Sequence, residues 1–178
     1  MTNRWLASDH HLGHSNILTF VGYKGEKVRK FSSVEEMNET IIERHNALVK
    51  EHDVVYFLGD VVINKKFLPL VERMNGSKRL ILGNHDPYFD LYGKYFKKIY
   101  AMRIFPREFI LTHIPIHTES VERFKVNLHG HIHQNSMNGI RYRNCCVDFS
   151  GDDYYPSNDY KPLNLEDIRD DLKSKGLI

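Results

Sequence analysis

The sequence predicts a layered α/β fold in which a sheet is covered on both faces. Four short apolar runs recur along the chain, and they read WLAS, VVYF, RLIL and FILT. These runs lack the polar alternation of half-exposed strands, which indicates strands buried on both sides. Segments with helical spacing lie between the first three runs, as expected when helices cover the faces of a sheet.

The helices are predicted from their caps and their periodicity. Ser33 and Glu36 have the spacing of a capping box, and apolar residues then recur at helical intervals to about Lys50. A shorter helix is predicted over 66–74, where the Asn-Gly pair that follows suits a helix end. The tail LNLEDIRDDLKSKGL starts with acidic residues and closes near a glycine, as a terminal helix does.

Three further segments are less regular. Residues 97–105 are predicted to form a strand, which a Pro-Arg-Glu turn connects to the FILT strand. The stretches 12–32 and 148–162 show no periodic pattern and are rich in Gly, Asp, Asn, Ser and Tyr. Long loops in a compact domain are often functional, so we interpret both as walls of a substrate pocket or, equally, as exposed connectors.

The composition is that of an ordinary globular protein. The 178 residues fit a single domain over 1–178, and 41% hydrophobic with 27% charged residues argue against disorder. The net charge is +2 without a long basic run, so a nucleic-acid partner is possible but unsupported, and no membrane surface is expected. No signal-peptide pattern or bilayer-length apolar run occurs, and Cys145 and Cys146 are interpreted as buried thiols. These features predict a cytoplasmic protein.

Polar residues of metal-binding type follow the buried runs. The blocks, in chain order, are Asp9-x-His11, Gly59-Asp60, Gly83-Asn84-His85-Asp86, His113 and Gly130-His131-x-His133. In layered α/β folds ligands gather beyond the carboxyl ends of strands, so these residues are expected to share one site. A single Asp at a strand end more often caps a turn, and a lone His is more often hydrogen-bonded than metal-bound. Five blocks in a fixed order make that structural interpretation much weaker.

Together the five blocks resemble the calcineurin-like metallophosphoesterase superfamily, with the chain as a small single-domain member. The family pattern is D-x-H, G-D, G-N-H-[DE], H and G-H-x-H, and the resemblance covers about residues 4–150. It implies an α/β/β/α sandwich of two mixed sheets flanked by helices, and two divalent metal ions bridged by Asp60. The other implied ligands are Asp9, His11 and His133 for one ion, and Asn84, His113 and His131 for the other.

The resemblance also implies the catalytic roles. His85 would lie over the phosphate and assist the leaving oxygen, with Asp86 orienting its ring, because the pKa of a histidine lies near neutrality. A metal-bridging hydroxide would attack the phosphorus in line, since two cations lower the pKa of bound water. Nitrogen and oxygen ligands without thiolate suit manganese, which we expect first, with iron, zinc or nickel as alternatives.

Substrate contacts are predicted at three positions outside the ligand set. His14 extends the first block to SDHHLGH, a form shared by many similar small proteins, although it could be an ordinary loop histidine. His117 follows the fourth block in HIPIH and could face the substrate or merely pack. Arg29 could meet a second phosphate or a nucleoside, unless it is simply solvated. The remaining histidines are interpreted as incidental: His10, His45 and His52 in or beside solvated segments, and His129 as a packed neighbour.

The predicted activity is hydrolysis of a phosphate ester at a two-metal site, on a phosphorylated small molecule or nucleotide. The chain leaves no room for a cap domain, which favours phosphodiesters or small nucleotides. A phosphomonoesterase or protein phosphatase is the alternative, and a non-catalytic metal-binding scaffold is disfavoured because all seven ligand positions are present. A metallo-β-lactamase-like hydrolase needs H-x-H-x-D-H, whereas Gln134 and Asn135 follow the paired histidines here.

Overall fold

Nine short strands and five α-helices build the part of the chain that the computed structural model describes, residues 2–22, 25–86 and 89–178. The strands are β1 (Arg4–Ala7), β2 (Val54–Phe57), β3 (Ser77–Ile81), β4 (Lys98–Tyr100), β5 (Arg103–Phe105), β6 (Phe109–Leu111), β7 (Val126–His129), β8 (Tyr142–Asn144) and β9 (Leu163–Asn164). The α-helices are α1 (Val34–Leu48), α2 (Pro69–Glu72), α3 (Phe89–Tyr92), α4 (Thr118–Phe124) and α5 (Leu165–Ser174). Two 3-10 helices cover Ser15–Thr19 and Lys65–Phe67.

The strands form two mixed sheets. The first has the order β4-β3-β2-β1-β9, in which β1 to β4 are parallel and β9 runs antiparallel to β1. The second has the order β5-β6-β7-β8, in which only β5 runs antiparallel to its neighbour. Ala7 pairs with Phe57 at the carboxyl ends of β1 and β2, so both strands end at the same edge. This edge is where a ligand site is expected in a parallel sheet.

Side chains of the first sheet alternate between two cores. Trp5, Ala7 and Phe57 face a core that they share with the apolar side of α1. Leu6 and Tyr56 point the other way, into a core between the two sheets that also receives α5. Because both faces are covered, the strands need no polar alternation. The layering confirms the predicted α/β fold of two mixed sheets flanked by helices.

The long helix α1 begins at its predicted cap. The hydroxyl of Ser33 accepts the backbone N–H of Glu36 at 3.1 Å. The Glu36 carboxylate reaches back one residue further than in a standard capping box, and accepts the N–H of Ser32 at 2.7 Å. Caps of this kind stabilise a helix by about 1 kcal/mol. The helix ends at Leu48, two residues before its predicted limit.

Two predicted elements are divided in the structure. Residues 97–105 hold two strands, because β4 pairs with β3 in the first sheet whereas β5 pairs with β6 in the second. A change of sheet partner leaves no mark in a local hydrophobic pattern. The predicted helix over 66–74 is a 3-10 helix followed by the short α2, because Pro69 lacks the N–H that a continuous helix needs. None of the helices in the described ranges is long and apolar enough to cross a membrane.

Candidate metal centre

Asp9 and Asp60 lie side by side at the carboxyl edge of the first sheet. The pairing of β1 and β2 continues past the strands, because the N–H of Asp9 donates to the carbonyl of Gly59 at 3.0 Å. One step further, the N–H of His11 donates to the carbonyl of Asp60 at 3.1 Å. Both carboxylates are buried. Adjacent buried carboxylates repel each other unless positive charge neutralises them, so their position points to a cationic partner.

Histidines from the later blocks complete two groups around these carboxylates. The first group is Asp9, His11 and His133, and the second group is Asp60, His113 and His131. In each group the candidate ligand atoms all lie within 4.8 Å of one another. This spacing suits ligands that each stand about 2 Å from a common ion. The structure thus brings together six of the seven predicted ligands.

Asp60 stands between the two groups. Its Oδ2 lies 3.5 Å from Nε2 of His113 and 3.9 Å from Nε2 of His11, so one carboxylate oxygen faces a histidine of each group. Asn84, the seventh predicted ligand, adjoins the second group, with Oδ1 at 2.8 Å from Nε2 of His113. A carboxylate that faces two ligand sets is the arrangement that a two-metal hydrolase requires.

Three buried polar atoms of the first group have no hydrogen-bond partner among the described residues, namely Oδ1 of Asp9 and both ring nitrogens of His11. Oδ1 of Asp9 and Nε2 of His11 lie 3.7 Å apart. A buried polar atom without a partner costs about 1–3 kcal/mol, and an ion between these two would satisfy both lone pairs. The carboxylate, imidazole and amide donors also suit a divalent transition metal. The residues therefore fit the ions implied by the resemblance.

Most of the candidate ligands have a left-handed backbone conformation. The φ angles are +56° at Asp9, +49° at His11, +52° at Asp60, +73° at His131 and +50° at His133. This conformation costs about 1–2 kcal/mol for a residue with a side chain, although Asp and His adopt it more readily than most. It turns the chain at the ligand and ends the strand. The regular spacing of LHGHIH therefore does not reflect a continuous strand.

Glycines in the motif blocks make room for the ligands. A Cβ atom on Gly83 would lie 2.2 Å from Oδ1 of Asp60, and one on Gly130 would lie 2.4 Å from Oδ2 of Asp9. Both distances are far shorter than a van der Waals contact, which lies near 3.5–4 Å. Gly59 has a φ of +98°, where glycine avoids the strain that a side chain would introduce. Steric constraints thus explain why glycine occupies positions 59, 83 and 130 in the motif blocks.

The carboxylate of Asp9 is held by three donors, of which Cys146 lies outside every motif block. Its Oδ2 accepts the hydroxyl of Ser8 at 2.6 Å and the backbone N–H of His131 at 2.8 Å. The Cys146 thiol donates to the same oxygen at 3.2 Å. Burial raises the pKa of this thiol, so it stays protonated and able to donate. These bonds use Oδ2 and leave Oδ1 facing the first group.

Asp86 contacts the turn that carries the site. Its Oδ2 accepts the backbone N–H of Asp60 at 2.9 Å and that of Gly83 at 2.8 Å. Its Oδ1 accepts the hydroxyl of Tyr92 at 3.0 Å. Burial raises the pKa of Asp86, and the two backbone N–H groups partly offset that effect. With both oxygens engaged, Asp86 supports this turn, which differs from the predicted role of orienting the ring of His85.

Three predicted residues lie at or outside the rim of the site. His85 is exposed, its N–H donates to Oδ1 of Asp60 at 2.8 Å, and its ring centroid is 6.2 Å from that of His11. His14 is half-buried, with its ring centroid 5.6 Å from that of His11. His117 is exposed and caps α4, where its ring accepts an N–H of the first turn. Its position is therefore explained by the helix cap.

Arg29 requires a correction. It was predicted to contact the substrate or to be solvated, but its exposed fraction is 0%. Its Nε donates to the carboxylate of Asp148 at 2.8 Å, and its Nη atoms donate to the carbonyl oxygens of Asp9 and His10. The guanidinium is therefore in the interior behind the site and cannot reach a substrate. Asp148, which no sequence pattern singled out, also contacts Nδ1 of His133 at 2.9 Å.

Two other histidines are also placed differently from their prediction. His10 and His45 are buried against Phe57, with ring centroids 5.0 Å and 5.9 Å from the phenyl ring. The prediction of solvated segments is therefore wrong for both residues, because polar neighbours in sequence do not reveal which face a residue presents. His52 is exposed, as expected. His129 is buried, and its Nδ1 lies 3.0 Å from the carbonyl of the next residue, in agreement with a packed neighbour.

The carboxylates and imidazoles shift one another's pKa values. Burial would raise the pKa of Asp9, but the imidazoles of His11, His133 and His113 lower it far below its usual range. Burial opposes the charged form of His113 as well, yet Asp60 and Asp9 raise its pKa to about 9. The two shifts show that the carboxylates and the imidazoles favour each other's charged forms. Metal ions at the same place would supply the positive charge that the carboxylates otherwise draw from protonated imidazoles.

Comparison with known proteins agrees with this geometry. The calcineurin-like phosphoesterase family matches residues 3–171. An uncharacterized protein of Methanocaldococcus jannaschii is 34% identical over 148 residues, which cover 81% of this chain and 77% of that protein. The gene 66 protein of Mycobacterium phage L5 is 33% identical over 92 residues, or 48% of this chain and 41% of the phage protein.

A solved structure has the same fold. It is a protein of unknown function from Aquifex aeolicus, which aligns over 94% of this chain and 98% of its own length with a TM-score of 0.68. The two sequences are 23% identical, so this likeness concerns the fold alone. The family match spans nearly the whole chain and includes every block that supplies a candidate ligand. The chain therefore belongs to the calcineurin-like phosphoesterase family.

Proposed function

We propose that this protein hydrolyses phosphate esters at a two-metal site, with phosphodiesters or small nucleotides as substrates. Family membership supports metal-dependent phosphoester hydrolysis. The observation that carries the proposal is the position of Asp60, whose Oδ2 faces His113 at 3.5 Å and His11 at 3.9 Å. A carboxylate shared in this way, together with the other candidate ligands of the two groups, would hold two divalent ions.

The chain's own residues would fix the geometry of the reaction. When bound, two divalent ions lower the pKa of a water molecule and neutralise charge on the phosphate. Asp60 and Asp9 accept backbone N–H groups of His85 and His131 at 2.8 Å each, so their oxygens are oriented in advance. As water attacks the phosphorus in line, the exposed imidazole of His85 would donate a proton to the leaving oxygen.

The distribution of charge supports a diester. A phosphodiester carries one negative charge, whereas a phosphate monoester carries about 1.5 to 2 at neutral pH. Arg29 was predicted to meet a phosphate, but it is bonded to Asp148 and to backbone carbonyls. It therefore adds no positive charge at the open side of the site. A substrate with a single charge needs fewer cations beyond the metal ions.

A groove beside the first group would accept the second ester group. Its lining residues are Phe20, Val21, Gly22, Val28, His133 and Asn135. Phe20 is 48% exposed and Val21 is 59% exposed, so the groove offers apolar surface next to a candidate ligand. Binding sites for organic groups combine such apolar walls with a few polar side chains. The groove therefore suits an aryl or nucleoside group attached to the phosphate.

We infer manganese as the metal, with iron, zinc or nickel as alternatives, because the candidate ligands are nitrogen and oxygen atoms. Cys146 lies close to Asp9, but burial raises the pKa of its thiol, so it is not available as a thiolate ligand. Cys145 and Cys146 are both free and buried. Free buried thiols fit a reducing compartment, which supports a cytoplasmic location.

Hydrolysis assays test the proposal. The substrates are bis(p-nitrophenyl) phosphate and p-nitrophenyl phosphate, each with manganese, nickel, magnesium or zinc. We expect the wild type to hydrolyse the diester faster, and Asp60→Asn to lose both metal and activity. The control is Asp53→Asn, which changes a buried aspartate at the amino end of β2, bonded to Trp5 and Asn3. The folded control should stay active.

The outcomes separate the parts of the proposal. Folded wild type that binds metal and hydrolyses neither ester would contradict the enzymatic function. A faster reaction with the monoester would contradict the diester preference and leave the two-metal site intact. Equal activity of the wild type and Asp60→Asn would contradict the role given to the shared carboxylate.

A further inference from the structure

A buried ion pair behind the first group has no part in the mechanism above. Oδ2 of Asp148 lies 2.8 Å from Nε of Arg29 and 2.9 Å from Nδ1 of His133. The side chains of Arg29 and Asp148 are both fully buried. Taking two charges out of water costs several kcal/mol per ion, and an apolar pair of similar size is often as stable. Stability alone therefore does not explain an ion pair that touches a candidate ligand.

We propose that Asp148 and Arg29 are positioning residues for the first group, Asp9, His11 and His133. When the Nδ1–H of His133 donates to Asp148, the lone pair of its ring is left on Nε2. That nitrogen lies 3.9 Å from Oδ1 of Asp9, within the group. An imidazole binds a metal through the nitrogen that carries no proton, so the bond to Asp148 fixes both the tautomer and the orientation of the ring.

Arg29 extends this support to the other side of the group. Its Nη atoms donate to the carbonyl oxygens of Asp9 and of the next residue. These carbonyls belong to the turn in which Asp9 and His11 have positive φ angles. One guanidinium therefore connects this strained turn to Asp148, which lies 119 residues from Arg29 in sequence. The connection sets the position of the turn relative to His133.

The second group has a different support. Nδ1 of His113 lies 2.7 Å from the carbonyl oxygen of Leu58, which is a neutral backbone acceptor. Loss of the Arg29–Asp148 pair should therefore lower the affinity of the first group for its metal ion and leave the affinity of the second group unchanged. The inference rests on the proposed function in one respect only, namely that metal ions bind at this site. It does not depend on which ester is hydrolysed.

Metal titration of the full chain tests this inference. Cobalt(II) is added to the metal-free protein, calorimetry gives the affinity of each ion, and visible absorption reports its ligand geometry. For Asp148→Asn we expect the affinity of one ion to fall about 10- to 100-fold, as for other outer partners of metal-binding histidines. The absorption of that ion should change, and the affinity of the other ion should not.

The control variant is Arg143→Gln. Arg143 is also a buried arginine, and it donates to Oδ1 of Asn158 at 2.8 Å and to the carbonyl of Pro156, neither of which belongs to the two groups. This variant should bind both ions as the wild type does. The variant measures how the loss of a buried arginine affects the fold while Arg29 and Asp148 stay in place.

A double variant keeps the proposal testable if Asp148→Asn folds poorly. Asp148→Asn leaves Arg29 without its counter-charge, so Arg29→Met with Asp148→Leu replaces the pair by apolar side chains. The proposal is supported if the double variant folds and binds one of the two metal ions with lower affinity than the wild type does. Wild-type affinity and absorption for both ions in either folded variant would overturn it. Failure of both variants to fold, while Arg143→Gln folds, would assign the pair to stability and also overturn it.

The proposed function can fail separately. Wild type that binds two ions but hydrolyses no ester would contradict the enzymatic function, while a selective loss of one ion in Asp148→Asn would still support the positioning role. Conversely, an active enzyme whose Asp148→Asn variant keeps both ions would retain the proposed function and lose this inference.

Discussion

The carboxylate of Asp86 accepts the backbone N–H of Asp60 at 2.9 Å, which joins the third motif block to the second. The same oxygen accepts the N–H of Gly83, so one side chain holds the backbone of both blocks together. Asp60 has a positive φ angle, and a hydrogen bond to its N–H helps to hold that conformation. Asp86 therefore acts on the shared carboxylate through the backbone.

Asp86→Asn should weaken the site by loosening this turn. An asparagine keeps one acceptor oxygen, so at least one of the present donors loses its partner, at a cost of about 1–3 kcal/mol. We expect a lower melting temperature and weaker metal binding, measured by calorimetry, with an unchanged pH profile of kcat. Tyr92→Phe removes the hydroxyl that donates to Oδ1 of Asp86, keeps both backbone bonds of Asp86, and should have a smaller effect. A shifted pH profile at full stability would indicate instead that Asp86 acts through His85.

Asp60→Asn should remove the shared ligand and preserve the fold. Asparagine tolerates the left-handed conformation that this position requires, with φ +52°. Substitutions of outer partners at metal sites cost about 10- to 100-fold, and the loss of a direct ligand should lower kcat/KM further. Elemental analysis of the purified variant, beside circular dichroism, checks the result. A variant that retained two ions and full activity would rule out the bridging role.

His85→Ala should keep both metal ions and lose turnover selectively. The ring is exposed at the rim, and general acid catalysis by a histidine contributes about 10²- to 10⁴-fold. Esters with poor leaving groups, such as alkyl or phenyl diesters, should slow by factors in that range. A p-nitrophenyl ester needs little protonation and should slow much less. Loss of metal, or an equal loss of rate for every leaving group, would contradict the assigned role.

The free energy of unfolding should fall as the pH drops from about 6.5 to about 4, in part because of His45. This buried side chain bonds the carbonyl of Asn75 at 3.0 Å, and burial lowers its pKa from 6.5 to about 4. In that interval the unfolded chain binds a proton that the folded chain excludes, so acid favours unfolding. The full shift corresponds to about 3 kcal/mol.

His45→Gln should reduce this pH dependence. The glutamine amide can still donate to Asn75 and has no titration in the interval. Urea unfolding between pH 7 and pH 4.5, in a chelator so that metal release does not contribute, measures the difference. Part of the dependence should remain, because burial also lowers the pKa of His10 to about 3 and that of His129 to about 4. An unchanged slope in the variant would refute the contribution of His45.

The ligand chemistry was predictable from the sequence, because each block supplies its own residue types. The meeting of Asp9 and Asp60 follows from parallel strands that end at one edge. The role of Arg29 did not follow, since its burial depends on Asp148, 119 residues away and in a segment without periodicity. The division of 97–105 between two sheets likewise depends on distant strand partners. Local patterns report residue type and periodicity, whereas these features depend on long-range contacts.

The left-handed backbone at five candidate ligands has a consequence for how metal is acquired. Folding itself supplies the free energy that bends the chain at these positions, so the site is preorganised before an ion arrives. In small zinc domains, by contrast, the free energy of metal binding is the free energy of folding. Here a chelator should strip the ions and leave the fold intact. The protein should therefore exchange one divalent metal for another without refolding, and the metal it carries should follow the supply in its surroundings.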